Sequence, residues 1–332
     1  MSGTSLGNPI HLVMNIHKRL LVPVPNAACT GVPTLLSGRL IKPYMYLITM
    51  AFRTRFAPSP TGPLHLGHAY SALLAHDRAR AEAGEFLLRI EDLDSARCRD
   101  HFEVQIYEDL DWLGIRWDGP VLRQSEQTQD YDAVLSDLTA RGLTFSCTCS
   151  RSDIRAALAA PQEGALPLGP DGLIYPGTCR GRVAQGDTAD ESLRLDMTKA
   201  TAVLPDIFYY QEVGEDVPAT ITVLSQTLVA SVGDVVLGRK GQDAVAYHLA
   251  CVIDDARQGV SHVIRGQDLS EATQIHVVLQ QLLGLQTPVY CHHRLIRDAT
   301  AKRLAKRSDA QAIAKFRDDG MSPQDIRRLV GL

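Results

Sequence analysis

Arg55-Phe56-Ala57-Pro58-Ser59-Pro60-Thr61-Gly62-Pro63-Leu64-His65-Leu66-Gly67-His68 is the stretch from which the rest of the chain is read. It forms the turn between a short apolar strand and a helix predicted over residues 69–83, with Gly84 as its stop. A strand–turn–helix junction presents backbone N–H groups and the positive end of a helix dipole, where an anion binds. His65 and His68 are three residues apart at the helix start and can face one phosphate. Gly62 and Gly67 let a nucleotide approach the backbone closely. These features point to an ATP site.

Residues 65–68 resemble the His-x-Gly-His signature of the class I aminoacyl-tRNA synthetases, and Arg-Phe-Ala-Pro-Ser-Pro-Thr-Gly resembles the glutamyl subgroup. The resemblance implies a Rossmann-type α/β catalytic domain that binds ATP with Mg2+ through His65 and His68.

Composition agrees with a soluble globular protein: 332 residues, 45% hydrophobic and 22% charged. No run approaches the roughly 18 apolar residues of a membrane helix. Seven cysteines, unevenly spaced, do not suit a secreted disulfide framework, so a reducing cytoplasm is expected. Residues 1–49 hold Lys18, Arg19, Arg39 and Lys42 and no acid, which leaves 30 basic against 38 acidic residues on 50–332. That acidic body excludes a general nucleic-acid binder and leaves RNA contact to a local basic face, such as Lys302, Arg303, Lys306 and Arg307. Residues 1–49 read as an extension, either a disordered arm or the product of a misassigned start, with an organelle-targeting segment as the lesser alternative.

Strand and helix patterns alternate from Met50 onward. Residues 86–90 read as a buried strand with Glu91, Asp92 and Asp94 at its C-terminal end, where open α/β sheets place ligand groups. Helices are predicted over 102–113 and 131–140, and another from an N-cap at Ser270 to Leu283, ended by Gly284. Short strands are expected at 193–195 and 207–210. The division that follows is 50–145 as the first half of the catalytic domain, 146–190 as an irregular insertion, and 191–332 as the remainder with the second ATP loop.

Cys147-Thr148-Cys149, followed by Tyr175-Pro-Gly-Thr-Cys179, has the pattern of a zinc site. Three thiolates leave a fourth position for a carboxylate, water or Tyr175, because no histidine and no further cysteine lies between them. Cys-x-Cys with Tyr-x-x-x-Cys resembles the zinc insertion of the glutamyl-queuosine tRNA(Asp) synthetase family. That resemblance implies structural Zn2+ held by Cys147, Cys149, Tyr175 and Cys179, with the Gly- and Pro-rich spacer before Tyr175 looping out.

The same resemblance assigns a glutamate pocket. Arg55, Phe56, Ala57, Pro58 and Ser59 would line it, Glu91 would meet the substrate ammonium, and Tyr247 and Arg265 would complete it. Arginine suits a carboxylate because its planar fork donates two parallel hydrogen bonds. Ala301-Lys302-Arg303-Leu304-Ala305-Lys306-Arg307 resembles the Lys-Met-Ser-Lys-Ser loop, with Arg303 at its first lysine, Ala305 at its serine and Lys306 at its second lysine. Lys306 would stabilise charge building on the triphosphate.

The 26 residues after Lys306 give no room for a helical anticodon-reading domain, so a catalytic domain without one is expected. Together these expectations describe a monomer that activates L-glutamate with ATP and transfers it to queuosine in the anticodon of tRNA(Asp). Two rivals are an enzyme that charges the tRNA 3′ end and a silent synthetase-like protein that binds RNA or an amino acid. Periodate oxidation of the tRNA end removes the acceptor for the first, and the second predicts no glutamate-dependent exchange between pyrophosphate and ATP.

Overall fold

The structure is a computed structural model that describes residues 51–159, 166–183, 191–214, 218–241, 245–297 and 311–332. The expectations for residues 1–49 and for Lys302 to Arg307 lie outside the described residues. From Phe52 to Leu332 the chain is one compact unit. Among the described residues, no helix is long and apolar enough to cross a membrane.

The frame is parallel. Strand β1 (Arg53–Phe56) leads through the motif loop into α1 (Leu66–Ala81), and β2 (Glu85–Ile90) returns beside β1 in parallel register, Arg55 opposite Leu87. Helix α2 (Asp100–Trp112) crosses to β3 (Leu122–Arg123), which pairs with the end of β2. Helix α3 (Thr128–Ala140) leads to β4 (Thr144–Cys147), and the segment that follows holds α4 (Arg151–Leu158) and a small hairpin of β5 (Leu168–Gly169) and β6 (Gly172–Leu173). Strand β7 (Ser192–Leu195) then pairs antiparallel with β4, which closes that segment at its base.

After α5 (Met197–Val203), strands β8 (Ile207–Val213) and β9 (Pro218–Leu224) form an antiparallel hairpin. Helix α6 (Ser225–Ser231) precedes β10 (Val236–Gly238), the third strand of the β4–β7 sheet. Helix α7 (Tyr247–Arg257), β11 (His262–Gly266), α8 (Thr273–Leu283) and β12 (Val289–His293) complete the parallel part, with β12 between β11 and β8. Helices α9 (Ile313–Asp318) and α10 (Pro323–Val330) end the chain.

The two parallel groups meet at β1 and β11. Ser261 N–H donates to the Arg53 carbonyl at 2.9 Å, and Ser261 Oγ accepts from Arg53 N–H at 2.8 Å. This is the reversal point of a doubly wound sheet, and the crevice beyond the C-terminal strand ends there is where such folds bind ligands. One apolar core packs α1, α2 and α10 on the β1–β2 side, through Leu73, Phe86, Leu110 and Ile326. A second packs α3, α7 and α8 around Tyr131, Leu249, Val278 and Tyr290.

The predicted elements exist, with shifted starts. Helix α1 begins at Leu66, three residues earlier than its periodicity suggests, because the two histidines cap it. Its stop also differs: Ala83, not Gly84, takes the left-handed conformation, at φ +50°. Gly84 is needed for a different reason, since a Cβ there would stand 2.2 Å from the Phe52 carbonyl oxygen. Ser270 is not the cap of α8. It closes a 3-10 turn by donating its N–H to the Gln267 carbonyl, and α8 starts at Thr273.

Left-handed backbone strains a residue with a Cβ by about 1–2 kcal/mol, partly offset by the greater unfolded-state freedom of glycine. Ala83 is exposed and loses no packing on substitution. Ala83→Gly is therefore expected to raise the melting temperature by about 1–2 °C in a thermal unfolding scan, and a fall would show that the strain at this turn is relieved some other way.

Candidate active site

The C-terminal ends of β1, β2, β11 and β12 surround a cavity of about 410 Å3. The motif loop forms one wall. His65 is the N-cap of α1: its Nδ1 accepts from Gly67 N–H at 3.1 Å, while Nδ1 of His68 accepts from His65 N–H at 3.2 Å. A ring nitrogen that accepts from a backbone N–H carries no proton, so each neutral imidazole bears its hydrogen on Nε2. The rings lie with centroids 3.8 Å apart, tilted 33° to each other, and both line the cavity. A Cβ on Gly67 would lie 3.0 Å from the His65 ring, so this glycine makes room for the histidine that caps the helix.

The floor is a buried charge cluster. Asp255, on α7, accepts from Arg55 Nε at 2.8 Å and from Arg89 Nη1 at 2.7 Å with one oxygen, and its other oxygen lies 3.3 Å from Arg55 Nη2. Arg89 Nη2 reaches Glu91 Oε1 at 3.2 Å, and Glu91 N–H donates to the Pro58 carbonyl at 3.1 Å, which seats the acid beside the motif loop. Burial pushes the Asp255 carboxyl up, but the two guanidiniums overcome this and hold it well below the usual carboxylate range. For Glu91 burial prevails over Arg89 and Arg55, and its pKa is raised.

Arg265, at the end of β11, is bound differently. Its Nε donates to His292 Nε2 at 3.3 Å, Nη1 to His276 Nδ1 at 3.1 Å, and Nη2 to Thr273 Oγ1 at 2.8 Å and the Leu269 carbonyl at 3.2 Å. Among the described residues none of these acceptors is a carboxylate. Burial, then the positive charge of Arg265, holds the His276 pKa well below the ordinary histidine value, so its ring is neutral. The guanidiniums of Arg55, Arg89 and Arg265 thus stand with the carboxylates of Asp255, Glu91 and, on the cavity wall, Asp268, so the cavity offers both cationic and anionic partners to a ligand.

Away from the cavity, the sulfurs of Cys147, Cys149 and Cys179 lie within 4.8 Å of one another. The Tyr175 hydroxyl stands 3.4 Å from Cys147 Sγ and 3.5 Å from Cys149 Sγ, and Cys149 and Cys179 Sγ are 3.5 Å apart. Tetrahedral zinc with Zn–S near 2.3 Å places sulfurs about 3.8 Å apart and a phenolic oxygen about 3.5 Å from each. The four donors fit such an ion. Cys179 N–H donates to the Tyr175 oxygen at 2.8 Å and fixes the phenol toward the sulfurs.

The structure therefore brings Arg55, Phe56, Ala57, Pro58, Ser59, His65, His68, Glu91, Tyr247 and Arg265 to one cavity, and the three cysteines and Tyr175 to a separate cluster. Lys306 lies outside the described residues. The chain returns from that segment at Ala312, which bridges to His65, and Ile313 N–H donates to the Leu64 carbonyl at 2.9 Å. Sequence reading missed Arg89, His276 and His292 and left Asp254 and Asp255 without a role. Asp254 accepts from Tyr131 and Gln124, so it ties α7 to α3 and the turn before it. Charged and histidine residues at apolar positions of buried strands and helices were the signal available for Arg89 and His276.

A reversing parallel sheet with a capped His-x-Gly-His helix at its crevice defines a class I aminoacyl-tRNA synthetase type of catalytic domain. The family model "tRNA synthetases class I (E and Q), catalytic domain" matches residues 51–171 and 186–332, and the chain belongs to this family. It is 57% identical over 282 residues to the glutamyl-Q tRNA(Asp) synthetase of Rhodobacter capsulatus, which covers 84% of this chain and 99% of that protein. It is 40% identical over 284 residues to the protein of the same name from Nocardia farcinica, covering 83% and 82%. Among solved structures, a glutamate tRNA ligase from Elizabethkingia meningosepticum in complex with its amino acid aligns with TM-score 0.67 and 26% identity. This alignment covers 85% of this chain, which spans 61% of the length of that ligase. The methionyl-tRNA synthetase of Mycobacterium tuberculosis, at 11% identity and TM-score 0.54, shares the fold.

Asp255→Asn removes the charge between two buried guanidiniums and is expected to cost about 3–5 kcal/mol in urea unfolding at neutral pH. Because the folded pKa is depressed, the carboxylate's contribution is complete above the value of an unfolded aspartate, near 4. It is lost as pH falls below that value, so the deficit of the variant should shrink in acid. An equal deficit at all pH values would mean that packing, not charge, is responsible.

Proposed function

We propose that this chain activates L-glutamate with ATP and transfers the glutamyl group to queuosine in the anticodon of tRNA(Asp). The observation that carries the first step is the convergence of Arg55, Glu91, Tyr247 and Arg265 on one cavity whose opposite wall is the His65–His68 cap. Glutamate brings two carboxylates and one ammonium. Arg265, whose hydrogen-bond acceptors among the described residues include no carboxylate, and Arg55, which lines the cavity, match the two anions, and Glu91 matches the cation. The acceptor rests on likeness to relatives named for glutamyl-Q tRNA(Asp) synthesis.

The α-carboxylate of glutamate attacks the α-phosphorus of ATP, forming a mixed anhydride as pyrophosphate leaves. A hydroxyl of the queuosine cyclopentenediol then attacks the activated carbonyl, gives up its proton and expels AMP. No side chain needs to become covalently attached. The catalytic contribution is orientation and preorganised charge. The Nε2–H groups of His65 and His68 donate to triphosphate oxygens, and Lys306, by its likeness to the second lysine of the Lys-Met-Ser-Lys-Ser loop, adds a cation to the triphosphate. Mg2+ accompanies ATP and neutralises phosphate charge. Cys147, Cys149, Tyr175 and Cys179 would hold a structural Zn2+, which would tie together the segment after β4. A reaction on ATP and tRNA belongs in the cytoplasm.

The deciding experiment is ATP-dependent transfer of labelled glutamate to periodate-protected tRNA from queuosine-containing and queuosine-lacking cells. Label confined to the queuosine-containing tRNA(Asp) is expected, and equal label on both pools would overturn the acceptor assignment. Metal analysis should find about one zinc per chain. Tyr175→Phe should then release zinc to a chelator at least about ten-fold faster than the unaltered chain, whereas unchanged retention would remove the tyrosine from the ligand set.

A further inference from the structure

A line of polar side chains leaves the glutamate pocket in the direction of the metal-bearing segment. Arg265 Nη1 lies 3.1 Å from His276 Nδ1, His276 Nε2 lies 3.0 Å from His248 Nδ1, and His248 Nε2 lies 3.5 Å from Asp171 Oδ1. Chemistry fixes the direction of the two inner hydrogen bonds, and the outer contact with the Asp171 carboxylate favours the same direction. A guanidinium can only donate and a carboxylate can only accept. His276 must accept at Nδ1 and hence carries its proton on Nε2. The His276 Nε2–H donates to His248 Nδ1, so the neutral His248 carries its own proton on Nε2, facing Asp171. The low pKa of His276 agrees with the single neutral tautomer this arrangement requires.

The inner links are buried, with His276 at 1% and His248 at 8% exposure, while the Asp171 side chain is 51% exposed. Asp171 sits in the turn between β5 and β6, with Gly172 at φ +97° closing it. The hairpin is seated on the body of the protein by close approach: a Cβ on Gly169 would meet the Ser231 carbonyl oxygen at 2.9 Å. Likewise a Cβ on Gly233 would meet Ile174 at 2.8 Å. Tyr247 packs its ring 5.2 Å from that of His248 and 5.9 Å from that of His276, so the line also borders the second pocket residue.

We propose that Asp171, His248 and His276 are positioning residues for the glutamate pocket: the Asp171 carboxylate, in contact with His248 Nε2 at 3.5 Å, favours the tautomer of the hydrogen-bonded His248–His276 pair that holds Arg265 in place for its carboxylate. The proposal rests on Arg265 as a glutamate-binding group. It gives the hairpin a role in substrate affinity and assigns that role to an exposed side chain on a surface turn, which a purely structural reading would treat as neutral. With Asp171 lost, no carboxylate stands beside His248 Nε2 to favour a proton there. Either tautomer becomes available to both rings, and a fraction of molecules present His276 with an N–H facing the Arg265 guanidinium, which weakens its hold.

The test is glutamate-dependent exchange between pyrophosphate and ATP, measured for the unaltered protein, Asp171→Ala and Asp171→Asn. Asp171→Ala should raise the KM for glutamate about five-fold and leave the KM for ATP unchanged. Asp171→Asn, which keeps an acceptor oxygen, should recover most of the loss. An unchanged KM for glutamate, or equal rises for both substrates, would overturn the proposal. If the unaltered protein shows no exchange, the functional reading fails by itself, and nitrogen-15 spectra of the histidines decide the chain: Nε2–H tautomers at His248 and His276, mixed after Asp171→Ala, support it, and an Nδ1–H tautomer at His276 refutes it.

Discussion

One carboxylate shared by two buried guanidiniums is the constraint on which the site depends. Asp255 comes from α7, Arg55 from β1 and Arg89 from β2, so a single acid joins the first strand pair to a helix about two hundred residues later. Taking such charges out of water costs several kcal/mol per ion, and the cost is offset only where geometry and further hydrogen bonds satisfy every group. Here Arg89 also has Gln258 and Glu91 while its buried Nε has no hydrogen-bond partner among the described residues, and Arg55 has the Cys251 sulfur at 3.9 Å. The arrangement contributes less to net stability than to placement. It holds Arg55 where that residue lines the cavity. It also keeps Glu91 beside a cation while burial raises its pKa, a tension that an incoming ammonium would relieve.

What could be read from the sequence was what is local in the chain. The His65–His68 spacing, the acid directly after β2 and the Gly284 stop, at φ +63°, each depend on residues a few positions apart. Their physics is that of one turn or one helix end. The partners of the pocket arginines were not legible for the opposite reason. Arg55 and Asp255 are 200 residues apart, and Arg265 reaches His292 across neighbouring strands. A buried arginine announces that it needs partners but not where they are. Cap errors have the same origin. Ser270 has the chemistry of a cap, yet the 3-10 turn at Gln267–Leu269 carries the chain past it, and Thr273 at the helix start directs its hydroxyl to Arg265.

The cysteine cluster lies between these cases. Cys147 and Cys149 are adjacent by sequence, and Cys179 is brought near by the pairing of β4 with β7 at the base of the segment. The spacing alone left the fourth donor open among carboxylate, water and phenol. The fold narrows the choice because the Tyr175 hydroxyl is oriented by the Cys179 backbone N–H, and Arg194 stacks 4.1 Å over the ring, a cation against a group that would carry negative charge on a metal. Both features lie outside any sequence motif.

The contrast between Arg55 and Arg265 is a division of labour set by their acceptors. Arg55 gives much of its charge to Asp255 and gains rigidity. Arg265 is held by two imidazoles, a hydroxyl and a backbone carbonyl, so it gains rigidity without losing charge. His292 accepts at Nε2 with its proton on Nδ1 facing Glu212 at 3.0 Å, and His276 accepts at Nδ1 with its proton on Nε2 donated to His248. An acid directly against Arg265 would have fixed it equally well and would have competed with a substrate carboxylate for it. With Glu212 one imidazole away and Asp171 two away, the guanidinium is oriented by neutral groups, and in the proposed function its charge is left to glutamate.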